Sequence, residues 1–219
     1  MEPRIVNFVT HDIIVVGASA GGVQALRELV AGLPREITAA ILVVVHMPSF
    51  HRSELAAVLM RSGPLPAVPA SDEEPIQLGH IYVAQPDYHL LIRDSRLQLW
   101  RGPKENRHRP AVNVLFRSAA VECGRRAVGV VLSGSLDDGT AGLWWIKRHG
   151  GIAVVQDPST AIISDMPENA LLHVQADYVL PAASIGPLLG KLAAEPASSE
   201  SERQWKHPDE ELPTWKRSN

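Results

Sequence analysis

The sequence predicts an α/β protein whose doubly wound, mostly parallel sheet is flanked by helices and carries a small antiparallel excursion. Short runs of Val, Ile, Leu and Ala alternate with segments of helical periodicity along the 219-residue chain, and this alternation is typical of βαβ units. The runs are almost continuously apolar, as expected for strands that are covered on both faces. A chain of this length, 45% hydrophobic, can bury one sizeable core.

The predicted elements form two series of strands and helices. In chain order they are strand 13–16, helix 23–31, strand 40–45 and helix 53–60, and then strand 127–132, helix 139–148, strand 152–155 and helix 166–172. The runs 81–84, 89–93 and 97–100 are shorter and are bounded by Gly, Pro, Asp and Ser. We therefore assign these three runs to the antiparallel excursion, which a helix at 111–121 follows.

The composition changes near residue 195 and divides the chain. Pro, Ser, Glu, Lys and Asp dominate from there to residue 219, which is typical of segments that cannot bury enough apolar surface to fold. We therefore predict one domain over 1–194 and a disordered tail or linker over 195–219. Trp205 and Trp215 leave open the alternative that the tail is a docking segment.

Charge and cysteine content exclude several classes of protein. The net charge of −3 argues against a nucleic-acid-binding protein, which usually has a basic face. A single cysteine, Cys123, allows neither a disulfide framework nor a cysteine metal site. We see no apolar run of about 18 residues and no signal-peptide pattern, so we expect a cytoplasmic protein without membrane insertion.

Ser19 lies in the turn between the first predicted strand and the first predicted helix. The turn reads Gly17-Ala-Ser-Ala-Gly-Gly22, and glycines around a serine allow the sharp turn that exposes a nucleophile beside free backbone N–H groups. The alternative is that Ser19 only caps the helix. Serine stands where a dinucleotide-binding fingerprint needs its second glycine. The turn is therefore more typical of a nucleophile than of a cofactor-binding loop, and no cofactor is expected.

Two other predicted strands also end in reactive side chains. His46 follows the second strand, and Asp137 and Asp138 follow the first strand of the second series. Parallel strands place their carboxyl ends on one edge, so Ser19, His46 and an aspartate can meet as nucleophile, base and orienting acid. Each residue also has a structural alternative: His46 can be a buried, hydrogen-bonded core residue, and the aspartates can simply begin the next helix, where negative charge is favourable. A metal site of His46, Asp137 and Asp138 is a further alternative, but no paired His/Glu spacing supports it and no metal is expected.

A basic cluster, Lys104-Glu-Asn-Arg-His-Arg-Pro110, precedes the helix predicted at 111–121. Arginine forms paired hydrogen bonds with carboxylates, so we interpret Arg107 and Arg109 as substrate-binding residues on a rim that meets an acidic protein surface. The alternatives are a solvated loop, and a loop that Arg109 braces against the domain.

Five motifs occur in a specific order. They are Gly17-Ala-Ser-Ala-Gly-Gly22, Val45-His-Met-Pro48, Asn106-Arg-His-Arg-Pro110, Leu132-Ser-Gly-Ser-Leu-Asp-Asp-Gly139 and Met166-Pro-Glu-Asn-Ala170. Together they closely resemble the catalytic domain of the bacterial chemotaxis protein-glutamate methylesterases, the CheB family, from about residue 12 to residue 189. The resemblance implies a doubly wound α/β domain that hydrolyses glutamate γ-methyl esters on methyl-accepting chemotaxis receptors and often deamidates receptor glutamines. It also implies a metal-free triad of Ser19, His46 and the aspartate directly before Gly139, which is Asp138.

The chain departs from the family pattern at three points. Ala20 stands where the family usually has threonine. Gly134-Ser-Leu-Asp-Asp-Gly139 stands where the family often has Gly-Met-Gly-Asn-Asp-Gly, so Ser135 replaces a methionine and Asp137 adds a carboxylate. Only about a dozen residues precede the first strand, whereas full-length family proteins carry a phosphorylatable receiver domain there.

These observations lead to one main hypothesis and two alternatives. The main hypothesis is a stand-alone serine esterase that acts on a methyl-accepting chemotaxis receptor or similar signalling protein, with any control supplied by a separate regulatory partner or by the tail. The altered residues Ala20, Ser135 and Leu136 suggest, as one alternative, a non-catalytic signalling or scaffold module of the same fold. The other alternative is an esterase whose substrate is not a chemoreceptor.

Overall fold

The computed structural model describes residues 10–46 and 53–197, which contain nine β-strands and six α-helices. The strands are β1 (Ile13–Ala18), β2 (Ala40–Val45), β3 (Ala67–Pro69), β4 (Ile81–Val83), β5 (His89–Arg93), β6 (Arg96–Trp100), β7 (Ala127–Val131), β8 (Ile152–Gln156) and β9 (Tyr178–Leu180). The helices are α1 (Gly22–Ala31), α2 (Leu55–Ser62), α3 (Val112–Cys123), α4 (Thr140–Arg148), α5 (Asp165–His173) and α6 (Ala182–Ala194).

Seven strands form one parallel sheet in the order β3-β4-β2-β1-β7-β8-β9. Helices α1, α2 and α6 cover one face of this sheet, and α3, α4 and α5 cover the other with the antiparallel pair β5–β6. From β1 the chain adds β2, β3 and β4 on one side of the sheet, and it then returns to add β7, β8 and β9 on the other side of β1. The direction of winding therefore reverses between β1 and β7. Ligands of such folds bind where the winding reverses, at the carboxyl ends of the strands.

The predicted fold class is confirmed, with one correction. The run 81–84 was assigned to the antiparallel excursion, and this was wrong: β4 pairs in parallel with β2 and β3, and only β5 and β6 are antiparallel. Three elements, β3, β9 and α6, were not predicted, because the strands are only three residues long and the helix contains Pro187. Among the described residues, no helix is long and apolar enough to cross a bilayer.

Two sequence predictions fall largely outside the described residues. Helix α6 ends at Ala194, one residue before the predicted start of the tail. Residues 198–219, which include Trp205 and Trp215, are not described, so the tail stays a prediction. Met47 and Pro48 of the second motif also lie outside the described residues.

A close contact between β1 and α3 brings the start of that helix to the reactive edge of the sheet. A Cβ at Gly17 would lie 2.1 Å from Cγ1 of Val112, so only glycine lets the first turn of α3 rest directly on β1. Two backbone N–H groups of that turn, those of Val112 and Asn113, face the loop that follows β7.

Candidate active site

Ser19 lies in a tight turn that the end of β7 holds in place. Its backbone N–H donates to the carbonyl of Ser133 at 2.9 Å, and the buried Ser133 hydroxyl donates to the carbonyl of Ala20 at 2.8 Å. Gly21 then adopts φ 76°, in the left-handed region, and α1 begins at the next residue. A Cβ on Gly21 would also lie 2.6 Å from Cβ of Ile162, so the turn requires glycine for both its backbone and its packing.

The structure brings Ser19, His46 and Asp138 into one hydrogen-bonded chain. Nδ1 of His46 lies 3.1 Å from Oγ of Ser19, and Nε2 of His46 donates to Oδ2 of Asp138 at 2.7 Å. The His46 and Asp138 side chains are only 6% and 2% exposed, so water does not compete for these bonds. With its proton on Nε2, the ring offers a free Nδ1 lone pair to the serine hydroxyl. The two ring nitrogens thus have the opposite roles to those in the chymotrypsin-type triad.

Asp138 is held by four hydrogen-bond donors. Oδ2 accepts from His46 and from the backbone N–H of Val112, both at 2.7 Å, and Oδ1 accepts from Asn113 N–H and Asn106 Nδ2, both at 3.1 Å. Burial alone would raise the pKa of Asp138, but the bonds from His46, Val112 and Asn113 outweigh it and hold the pKa below its usual value. Asp138 therefore stays a carboxylate, at a helix N-terminus that favours negative charge.

Asn113 locks α3 to α4 around this carboxylate. It is 5% exposed, and its Oδ1 accepts from the backbone N–H groups of Gly139 at 3.0 Å and Gly142 at 2.8 Å. These groups belong to the start of α4, directly after Asp138. The side chain of Asn113 thus fixes the start of α4, while its backbone N–H binds the carboxylate of Asp138 just before that helix. Asn113 was not predicted from the sequence, because one asparagine inside a predicted helix carries no spacing signal.

His108 lies flat against His46, which was also not predicted. The ring centroids are 3.6 Å apart and the planes differ by 3°. Burial and the neighbouring His46 lower the pKa of His108, so its ring stays neutral beside His46. The loop that carries His108 is tied to α3 by an ion pair between Glu105 and Arg117. His108 therefore restricts the orientation of the His46 ring.

The two arginines proposed for substrate binding occupy different environments. Arg109 donates from Nε to Asp87 at 3.0 Å and from Nη1 to the Gly102 carbonyl at 2.6 Å, and its side chain is 17% exposed. Its hydrogen bond, together with that of Arg101, holds the pKa of Asp87 below its usual value. This geometry favours the bracing alternative for Arg109. Arg107 is exposed and forms no ion pair within the described part of the chain, so it remains free to meet a partner.

The other aspartate of the motif, Asp137, takes no part in the hydrogen-bonded chain of Ser19, His46 and Asp138. Asp137 is exposed, and among residues 10–46 and 53–197 its carboxylate forms neither a hydrogen bond nor an ion pair. In the same described ranges, no three His, Cys, Asp or Glu side chains converge to form a metal site. Cys123 is half-buried and burial raises the pKa of its thiol to about 12, so this residue is not a competing nucleophile.

An apolar rim lies beside Ser19. A Cβ at Gly134 would be 2.1 Å from Sδ of Met166 and 2.8 Å from Cβ of Ser19, so the loop after β7 packs directly on the serine. Leu136 and Ile162 near this loop are 59% and 64% exposed. Leu136 has φ 67°, a left-handed conformation that costs a residue with a Cβ about 1–2 kcal/mol.

Comparison with known proteins identifies the family. A family model described as CheB methylesterase matches residues 14–189. A protein-glutamate methylesterase/protein-glutamine glutaminase of Anaeromyxobacter dehalogenans is 40% identical over 187 residues, which are 84% of this chain and 51% of the relative. A putative enzyme of the same name from Leptospira interrogans is 37% identical over 83% of this chain and 95% of the relative. This chain thus spans about half the length of the first relative and nearly all of the second.

A solved structure gives the same result. The crystal structure of the Thermotoga maritima CheB methylesterase catalytic domain superimposes with a TM-score of 0.79 at 34% identity, and the match covers 83% of this chain and 98% of that domain. An identity of 34% indicates membership of the same family as well as a shared fold. This chain belongs to the CheB methylesterase family.

Proposed function

We propose that this protein is a serine esterase that hydrolyses glutamate γ-methyl esters on methyl-accepting chemotaxis receptors, with release of methanol, and that it also deamidates receptor glutamines. The hydrogen-bonded chain from Ser19 through His46 to Asp138 is the observation that carries the proposal. The names of the curated relatives support both activities. A receptor side chain in the cytoplasm is the substrate, so the enzyme acts in that compartment.

The proposed reaction follows from the positions of the three side chains. Oγ of Ser19 attacks the ester carbonyl carbon while Nδ1 of His46 takes the hydroxyl proton. His46 then gives this proton to the leaving methoxide oxygen, so methanol departs and an acyl-serine remains. A water molecule attacks that ester with His46 again as base, which frees the glutamate carboxylate and regenerates Ser19. Asp138 stabilises the positive imidazolium in both steps and holds the ring in place.

Backbone N–H groups beside Ser19 supply the donors for the oxyanion. The N–H groups of Ala20 and Gly21 donate no hydrogen bond within the described residues, and they lie at the positive end of α1. Donors aimed at the developing oxyanion are each worth roughly 10²- to 10³-fold in rate. The hydroxyl that Ala20 lacks is therefore not required for this role.

Methanol release from methylated receptor membranes tests the proposal. Wild type should release methanol, and Ser19→Ala should be slower by about 10⁴-fold or more, because the members of a triad act as a unit. Ser135→Ala is the matched control, since Ser135 lies on the neighbouring loop without a bond to His46, and it should retain most of the activity. A Ser19→Ala variant within tenfold of wild type would overturn the assignment of Ser19 as the nucleophile, and helix capping would not replace it because the N-cap of α1 is Gly21.

A further inference from the structure

Leu136 combines an unfavourable backbone conformation with an exposed apolar side chain. Its φ of 67° lies in a region that leucine rarely adopts, and the residue is 59% exposed. Neither feature stabilises the folded protein. A strained residue persists only where its surroundings impose the conformation, and such residues are concentrated at functional sites.

Helix α5 imposes this conformation. The backbone N–H of Leu136 donates to Oδ2 of Asp165 at 3.3 Å, and its carbonyl accepts from Nδ2 of Asn169 at 3.0 Å. Asn169 also donates to the backbone carbonyl of Asp165 at 2.9 Å, which holds the Asn169 side chain in place on α5. The leucine side chain is therefore directed outward by a specific set of contacts rather than by a loosely packed loop.

Leu136 lies on the loop between β7 and α4, which contacts Ser19 and carries Asp138. Gly134, two residues before it, packs against Cβ of Ser19, and Asp138, two residues after it, binds His46. A methyl ester is small, so a polypeptide that delivers the ester to Ser19 also covers surface around the serine, and this loop is part of that surface because Gly134 packs on Ser19. The leucine is thus positioned to be covered by a protein substrate and not by a small ester.

We propose that Leu136 is a specificity-determining residue, which packs against an apolar side chain of the polypeptide near the esterified glutamate. This inference rests on the proposed function and adds to it a preference for an ester flanked by apolar surface. Burial of part of a leucine side chain on binding strengthens the complex by about five- to tenfold. Hydrolysis of a small activated ester gains nothing from this contact.

Three variants of the full chain test this proposal, each assayed on p-nitrophenyl acetate and on methylated receptor membranes. Leu136→Gly removes the side chain and the strain, whereas Leu136→Ala removes the side chain and keeps a Cβ in the left-handed region. Leu78→Gly is the matched control, because Leu78 is 51% exposed and precedes β4 at the opposite edge of the sheet.

We expect both Leu136 variants to raise KM for the receptor by about five- to tenfold and to leave kcat/KM for the small ester within about twofold. Only Leu136→Gly should raise the melting temperature, because glycine adopts a positive φ without strain. Leu78→Gly should leave both substrates unaffected.

Other outcomes would overturn the assignment of Leu136. An unchanged receptor KM would show that the side chain makes no contact, and equal losses on both substrates would show that the loop only positions Asp138. A raised receptor KM in Leu136→Gly but not in Leu136→Ala would show that backbone flexibility, and not the leucine side chain, causes the effect. A wild type that cleaves the small ester but not the receptor would overturn the proposed function together with this inference, and that failure appears before any variant is compared.

Discussion

Substitution of Asp138 by asparagine tests the triad most directly, because it replaces one carboxylate oxygen by an amide nitrogen at nearly constant size. Each carboxylate oxygen of Asp138 accepts one backbone hydrogen bond and one side-chain hydrogen bond. The new amide group therefore faces two donors in either orientation. The side-chain partner can adjust, since Asn106 can rotate its amide and His46 can move its proton to Nδ1. The backbone partner, Val112 or Asn113, cannot adjust.

One buried backbone donor at the start of α3 is thus left without an acceptor, which costs about 1–3 kcal/mol. At about 2–4 °C for each kcal/mol in a domain of this size, the melting temperature should fall by several degrees. Turnover should fall far more. In one orientation the proton of His46 moves to the nitrogen that faces Ser19, and in the other the ring keeps its tautomer but loses the negative charge that stabilises the imidazolium. We expect a loss of about 10³- to 10⁴-fold in kcat.

Hydrolysis of p-nitrophenyl acetate, methanol release and thermal unfolding measure these effects. Asp137→Asn is the matched control: it makes the same chemical change one residue earlier, on an exposed carboxylate without a partner among the described residues. Its turnover should stay within a few-fold of wild type. Asp138 is not the triad acid if Asp138→Asn retains more than a tenth of wild-type activity, or if Asp137→Asn shows the large loss and Asp138→Asn does not.

Two further predictions concern the arginines and the buried His89. Arg109→Ala should lower the melting temperature and reduce turnover of both ester classes, because it frees Asp87 and the loop before α3, whereas Arg107→Ala should raise KM for the receptor alone. The reverse pattern would make Arg109 the docking residue. His89 is fully buried, with Nε2 donating to the Pro103 carbonyl and Nδ1 accepting from Ala111 N–H, and burial lowers its pKa. Below about pH 6.5 the unfolded chain therefore binds more protons than the folded chain. As the pH drops from 7.5 to 5.5, the free energy of unfolding should fall by up to about 1.4 kcal/mol per pH unit for such a histidine, and the melting temperature should fall with it. A melting temperature that does not change over this range would contradict the neutral assignment.

The position of the site could be predicted from the sequence because it depends on strand order and strand ends alone. The apolar runs of β1, β2 and β7 are distinct, and parallel pairing places whatever follows them on one edge. Spacing could not distinguish Asp137 from Asp138. The difference depends on the backbone of their loop, where Leu136 at φ 67° and Gly139 at φ 105° turn one carboxylate inward and the other outward.

The partners of the site residues were much harder to predict. Asp87 lies 22 residues before Arg109, and a charge pattern does not show whether an arginine has a partner within the protein or faces solvent. Asn113 lies 25 residues before Asp138 and acts through both its backbone and its side chain. Strand β4 was misassigned for a related reason, since three residues acquire their parallel pairing only from neighbours distant in sequence.

The role of Gly17 also differs from the one that the sequence suggested. The motif suggests that Gly17 provides conformational freedom for the turn at Ser19, but Gly17 lies within β1 and only Gly21 has a positive φ in this turn. What Gly17 supplies is space, because any Cβ there would overlap Val112 and push the first turn of α3 off the sheet. That turn carries the two backbone N–H groups that hold Asp138. Gly17 therefore helps to position Asp138, although it lies two residues before Ser19 at the other end of the hydrogen-bonded chain. Because Asp138 binds His46, the close packing of α3 on β1 also affects the orientation of the His46 ring.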